Sequence, residues 1–105
     1  MAKFKLQPNP TFRAPVDISV PGAAEPARIE IEFRHLGRKA VEAYFREAAG
    51  KPDVEGLAGI IVGWDGVDTP YSPEALGQLL DAYPASALEI VEAFRGELLE
   101  AKRKN

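Results

Sequence analysis

Two short stretches alternate apolar and polar residues with a strict period of two. In residues 15–20, Val16, Ile18 and Val20 alternate with Asp17 and Ser19; in residues 28–34, Ile29, Ile31 and Phe33 alternate with Glu30 and Glu32. That period, carried by β-branched residues, specifies strands with one buried and one wet face. The seven residues between them, Pro21-Gly22-Ala23-Ala24-Glu25-Pro26-Ala27, are rich in turn formers. The pair therefore reads as a β-hairpin with a long loop. A hairpin alone is marginal in water, so the remaining chain must lay helices over its apolar face.

The rest of the sequence supplies those helices. Val41, Tyr44, Phe45 and Ala48 recur at helical spacing over residues 38–49, and Gly50 is placed to cap the end. Residues 54–64 are ambiguous. Val54, Leu57, Ile61 and Trp64 fit helical spacing, whereas Ile60-Ile61-Val62 would suit a buried strand. Helix is the preferred reading, with Gly56, Gly59 and Gly63 allowing close packing. Asp65-Gly66 then turns the chain sharply. Ser72-Pro73-Glu74 is a strong helix start: a hydroxyl for an orphan N–H, a proline for the first turn, and an acid at the positive helix end. Leu76, Leu79, Leu80 and Tyr83 continue that helix until Pro84 stops it. Ala87, Ile90, Val91, Phe94, Leu98 and Ala101 form the stripe of a longer final helix, which Gly96 is expected to interrupt.

The expectation is an α+β fold: an N-terminal β-hairpin followed by a bundle of about four α-helices. Residues 1–14, with Pro8 and Pro10, read as an extended arm. Residues 15–105 read as a single domain, with the hairpin at 15–34 and helices near 38–49, 54–64, 73–83 and 85–103.

Composition excludes more functions than it suggests. The 105 residues carry a net charge of −3 and no cysteine. The acidic balance gives no electrostatic footprint for nucleic acid, and the basic cluster Lys102-Arg103-Lys104 is terminal and short. Thiol chemistry and thiolate metal sites are ruled out. No apolar run approaches the roughly 20 residues of a membrane helix, and the N-terminus lacks a signal core. His35, the one histidine, has no nucleophile signature beside it and reads as a surface or structural residue. Glu30 and Glu32 share the polar face of a strand. Asp65-Gly66-Val67-Asp68 lacks the spaced oxygens of a calcium loop. Trp64 and Tyr71 flank the central turn, where aromatic residues either cap a small core or anchor a partner.

Taken together, residues 4–22 (FKLQPNPTFRAPVDISVPG), the second strand IEIEFRHLG and the stretch IIVGWDGVDTPYSPEALGQLLDAYP with its following helix resemble the tail assembly chaperones of long-tailed bacteriophages and prophages. The resemblance spans nearly the whole chain and is most specific at the Trp-Asp-Gly turn and the Tyr-Ser-Pro helix start. It implies a non-enzymatic protein, without cofactor or metal, that binds the tape measure protein, keeps it soluble and promotes tail tube assembly. It also implies self-association, action in the cytoplasm of the bacterial host, and absence from the finished virion. Many such proteins have a longer frameshifted form that recruits tail tube protein; this chain would be the short form. Trp64, Tyr71, Leu80 and Phe94 are the residues expected at partner or subunit contacts. Two other classes stay open: a small cytoplasmic adaptor or antitoxin-like interaction domain, and an enzyme resting on His35 with Glu30 or Glu32.

Overall fold

The alternating segments pair as their pattern requires. The computed structural model describes residues 3–48 and 53–100. Its elements run β1 (Thr11–Ile18), β2 (Ala27–Arg34), α1 (Arg38–Ala48), α2 (Val54–Ala58), β3 (Ile61–Asp65), α3 (Pro73–Ala82) and α4 (Ser86–Leu99). β1 and β2 are antiparallel in a register from Thr11 opposite Arg34 to Ile18 opposite Ala27. β3 pairs antiparallel with the other edge of β2, so the sheet order is β1-β2-β3. Ala14, Val16, Ile18, Ile29, Ile31, Phe33 and Ile61 are all buried on one face.

Two expected boundaries are corrected. The arm is shorter than residues 1–14, because β1 begins at Thr11. Phe12 and Ala14 continue the inward alternation of Val16 and Ile18. Pro15 sits mid-strand without harm because β1 is an edge, where a missing N–H breaks no ladder bond. The continuous helix over residues 54–64 does not form. It ends at Ala58, capped by Gly59, and Ile61–Asp65 is the third strand. In the β2–β3 register, Phe33 faces Ile61 and Glu32 faces Gly63, so Val62 is an extra residue on β3. This bulge lets Ile61 and Trp64, three positions apart, share the sheet's apolar face.

The helices among the described residues form a layer over that face rather than a separate bundle. α4 lies along β1, α2 against α3 and β3, and α3 against α4. Ile90 and Phe94 of α4 are fully buried, as are Val41 of α1, Leu57 of α2 and Leu76 of α3. The Phe94 ring is the hub of an aromatic cluster, with centroids 5.2 Å from Phe33, 6.2 Å from Phe12, 5.9 Å from Tyr44 and 6.1 Å from Phe45. At the far end of β1, the Glu89 carboxylate accepts the Ser19 backbone N–H at 3.0 Å and also the Ser19 hydroxyl. α4 runs unbroken through Gly96, against expectation, and ends at Leu99 with Glu100 extended. The helix expected over residues 85–103 thus stops short at Leu99; the expected Gly50 cap, Ala101 and the basic cluster lie outside the described residues.

The opposite face of the sheet is uncovered and ionic. Arg13 of β1 reaches across β2 to β3. Its guanidinium lies 3.1 Å from Glu30, 3.7 Å from Glu32 and 2.5 Å from Asp65. Arg28 holds Asp17 through two bonds of 2.8 and 3.1 Å, and the bonded guanidinium keeps that carboxyl below its ordinary pKa. Thr11 adds a hydroxyl bond to Glu32 at 2.7 Å. Asp17, Glu30 and Glu32 thus each have a cross-strand neighbour to satisfy them.

α3 starts as its sequence dictates. Ser72 is extended, and its hydroxyl accepts the Ala75 N–H at 3.0 Å. Tyr83 leaves the helix in an extended conformation ahead of Pro84. Ser72→Ala is expected to cost about 1 kcal/mol of stability, the usual worth of such a cap. Urea denaturation with an unchanged m-value would register it.

Candidate functional site

The central turn builds the surface of greatest interest. β3 places Trp64 opposite Ile31 on the apolar face. Gly66 then adopts φ +89°, a left-handed conformation that disfavours any side chain, with the Ile29 backbone packed close to it. This reversal folds the loop back on the tryptophan. The Trp64 indole N–H donates to the Thr69 carbonyl at 2.8 Å. The Tyr71 ring stands edge-on to Trp64, with centroids 5.2 Å apart and planes at 82°. Burial pushes the Tyr71 phenol above its ordinary pKa, with Arg34 opposing, so the hydroxyl stays neutral.

Between this loop and α3 runs a groove of about 190 Å³, walled by Trp64, Val67, Leu79 and Tyr83 and rimmed by Asp68 and Gln78. It is smaller than the roughly 300–1,000 Å³ of small-molecule pockets. Its size and apolar walls suit side chains presented by another polypeptide. Leu79 of α3 and Tyr83, whose backbone N–H donates to the Leu79 carbonyl at 3.0 Å as the chain leaves the helix, both face the groove with Trp64.

The four residues expected at contacts are therefore separated. Trp64 and Tyr71 touch, and Trp64 lines the groove. Leu80 is partly buried against the core and does not line it. Phe94 is 0% exposed and offers no surface to a partner in this chain. Val67 and Leu79 were not singled out from the sequence as contact residues. Leu79 carried a signal, its four-residue spacing from Tyr83 after a tryptophan turn; Val67, in the loop before α3, carried none.

Two further grooves flank α1. One lies between α1 and α4, about 410 Å³, with Val41, Phe45 and Leu99 as floor and Glu42, Arg46 and Arg95 around it. The other, about 450 Å³, lies between α1 and α2 and carries Glu47, Asp53 and Glu55 beside Tyr44. There the Tyr44 hydroxyl donates to the Gly56 carbonyl at 3.2 Å. Burial, reinforced by the negative charge of Asp53, raises the Tyr44 pKa.

The residues weighed for catalysis are not brought together. Glu30 and Glu32 bond Arg13 and Thr11 across the open face. The His35 ring instead stands edge-on to Phe12, which packs on the core. No group of three or more His, Asp or Glu among the described residues is arranged to hold a metal. No helix among them is long and apolar enough to cross a membrane.

Comparison with curated proteins and with solved structures finds no match for this chain. The family model described as phage tail assembly chaperone matches residues 1–105, its whole length, and the chain belongs to that family.

Proposed function

We propose that the chain binds the tape measure protein through the groove beneath Trp64, keeps it soluble, and promotes assembly of the tail tube around it, without catalysis. The observation that carries this reading is the groove itself. Trp64 and Tyr83 provide large rigid contact area, and Leu79 an aliphatic wall. Side chains of this kind dominate binding energy in protein interfaces. A long helical client displays apolar residues at i, i+3, i+4 and i+7, and a groove beside α3 can receive one or two of them per copy. Each contact is modest, so repeated binding along the client would supply the avidity. A longer form of the chain would recruit tail tube protein to the same complex, with the encounter taking place in the host cytoplasm.

The test is co-expression with the tape measure protein, reading its soluble fraction and its capture on the tagged chain. Gln78 and Ala82 are exposed at the groove, so Gln78→Glu with Ala82→Arg fills and charges it without touching the core. Capture is expected to weaken at least about tenfold, or 1.4 kcal/mol, with near-ultraviolet circular dichroism unchanged. Undiminished capture by that variant would move the site elsewhere. A native chain that self-associates yet leaves the tape measure protein insoluble would make an adaptor the better reading.

A further inference from the structure

Charge is segregated along this chain. Residues 53–94 carry eight acidic residues and no lysine, arginine or histidine, and all 13 lysines and arginines lie outside them. The groove beneath Trp64 belongs wholly to that stretch, because its lining falls within residues 64–69 and 75–83. Its apolar walls therefore open into surroundings of one sign. A surface that only needs to stay wet mixes both signs. One sign around an apolar floor steers and orients a partner of the opposite sign.

Acids stand on both banks of the groove. Asp68 lies exposed on the loop side, where its carboxylate accepts the Thr69 hydroxyl at 3.1 Å. On the helix side, Glu74, Gln78 and Asp81 are spaced i, i+4, i+7 and all are exposed, so the two acids share one ridge with the rim glutamine. Asp68, Glu74 and Asp81 form no ion pair among the described residues. Asp65 differs, since Arg13 holds it at 2.5 Å on the open face of the sheet. Arg34 acts on Tyr71, which lies outside the groove lining.

We propose that the client segment seated in this groove is a basic amphipathic helix. An apolar side chain enters between Trp64, Leu79 and Tyr83, and lysines or arginines within one turn of it meet Asp68 on one bank and the Glu74–Asp81 ridge on the other. This charge rule rests on the groove being the client site, and it adds which part of the client is taken. A long helical client repeats its apolar stripe many times, so apolar contact alone does not choose among the repeats. The acids choose: a stripe flanked by lysine or arginine is drawn in, and one flanked by carboxylates meets like charge and is refused.

Capture of the tape measure protein on the tagged full chain, at low and high salt, tests it through one position. Gln78 is exposed at the groove, and Gln78→Glu and Gln78→Lys are similar in bulk and opposite in sign. Gln78→Lys is expected to weaken capture at least about tenfold at low salt, and Gln78→Glu to strengthen it about two- to fivefold. Both differences should shrink at high salt. Asp68→Asn with Asp81→Asn should weaken capture as Gln78→Lys does, with far-ultraviolet circular dichroism unchanged in every variant. Hydrogen exchange of the captured client should place protection on segments with lysine or arginine beside their apolar residues. Equal effects of the two Gln78 substitutions, capture indifferent to salt, or protection confined to acidic segments would each overturn the charge rule. The client reading would survive those results if Gln78→Glu with Ala82→Arg still lost capture. No capture by the native chain at either salt would overturn both.

Discussion

Phe94→Ala is expected to destabilise the fold by about 3–5 kcal/mol, the range for removing a buried phenylalanine. The ring is wholly buried and touches rings from β1, β2 and α1. Its loss leaves a cavity at the junction of three elements that cannot all close inward together. Small domains have only about 5–15 kcal/mol in total, so the variant should fall near the edge of folding. Urea denaturation would show a lowered midpoint. A loss below about 1 kcal/mol would mean that the aromatic cluster relaxes easily and is not the centre of the core. Capture of the tape measure protein by the residual folded fraction should be normal, because Phe94 reaches no surface. This separates its role from that of Trp64.

Leu57→Ala is expected to cost about 2–5 kcal/mol through a different route. α2 has five residues, Val54–Ala58, far below the length at which a helix holds itself in water. It persists because Leu57 is fully buried and because Asp53 caps its start. Removing the Leu57 side chain takes away the anchor and leaves the Asp53 cap and the Tyr44–Gly56 bond to order one turn. Hydrogen exchange should show the amides of α2 losing protection ahead of those of β2, by a local opening. Equal protection of α2 and β2 would show that the helix opens only with the whole domain.

Much of the fold was legible because the hydrophobic pattern and the turn chemistry agreed. The hairpin followed from Val16, Ile18, Ile29, Ile31 and Phe33, and the start of α3 from Ser72, Pro73 and Glu74. The miss at residues 54–64 has a definite cause. Ile61 and Trp64 are three apart, which in a regular element means helix. The bulge at Val62 produces the same spacing in a strand by spending one residue outside the ladder. No local rule distinguishes the two; the open edge of β2 does. β1 was placed too late for a milder reason. Ala14 is a faint apolar signal, and Pro15 looks like a break until the strand is known to be an edge. At the candidate site, the adjacency of Trp64 and Tyr71 was visible in their flanking of one turn. That Phe94 belongs to the interior was not visible, since an apolar stripe reads the same whether it faces a sheet or another subunit.

The contact between Ser19 and Glu89 joins residues 70 apart in the chain, and Ile90 and Phe94 close over strands made long before them. This order of events has a biosynthetic consequence. A ribosome making this polypeptide delivers the hairpin first and its cover last, so the sheet's apolar face stays bare for most of translation. Non-local closure of this kind also slows folding relative to a local helical bundle. The nascent chain thus passes through a sticky stage of its own before it can take up a client.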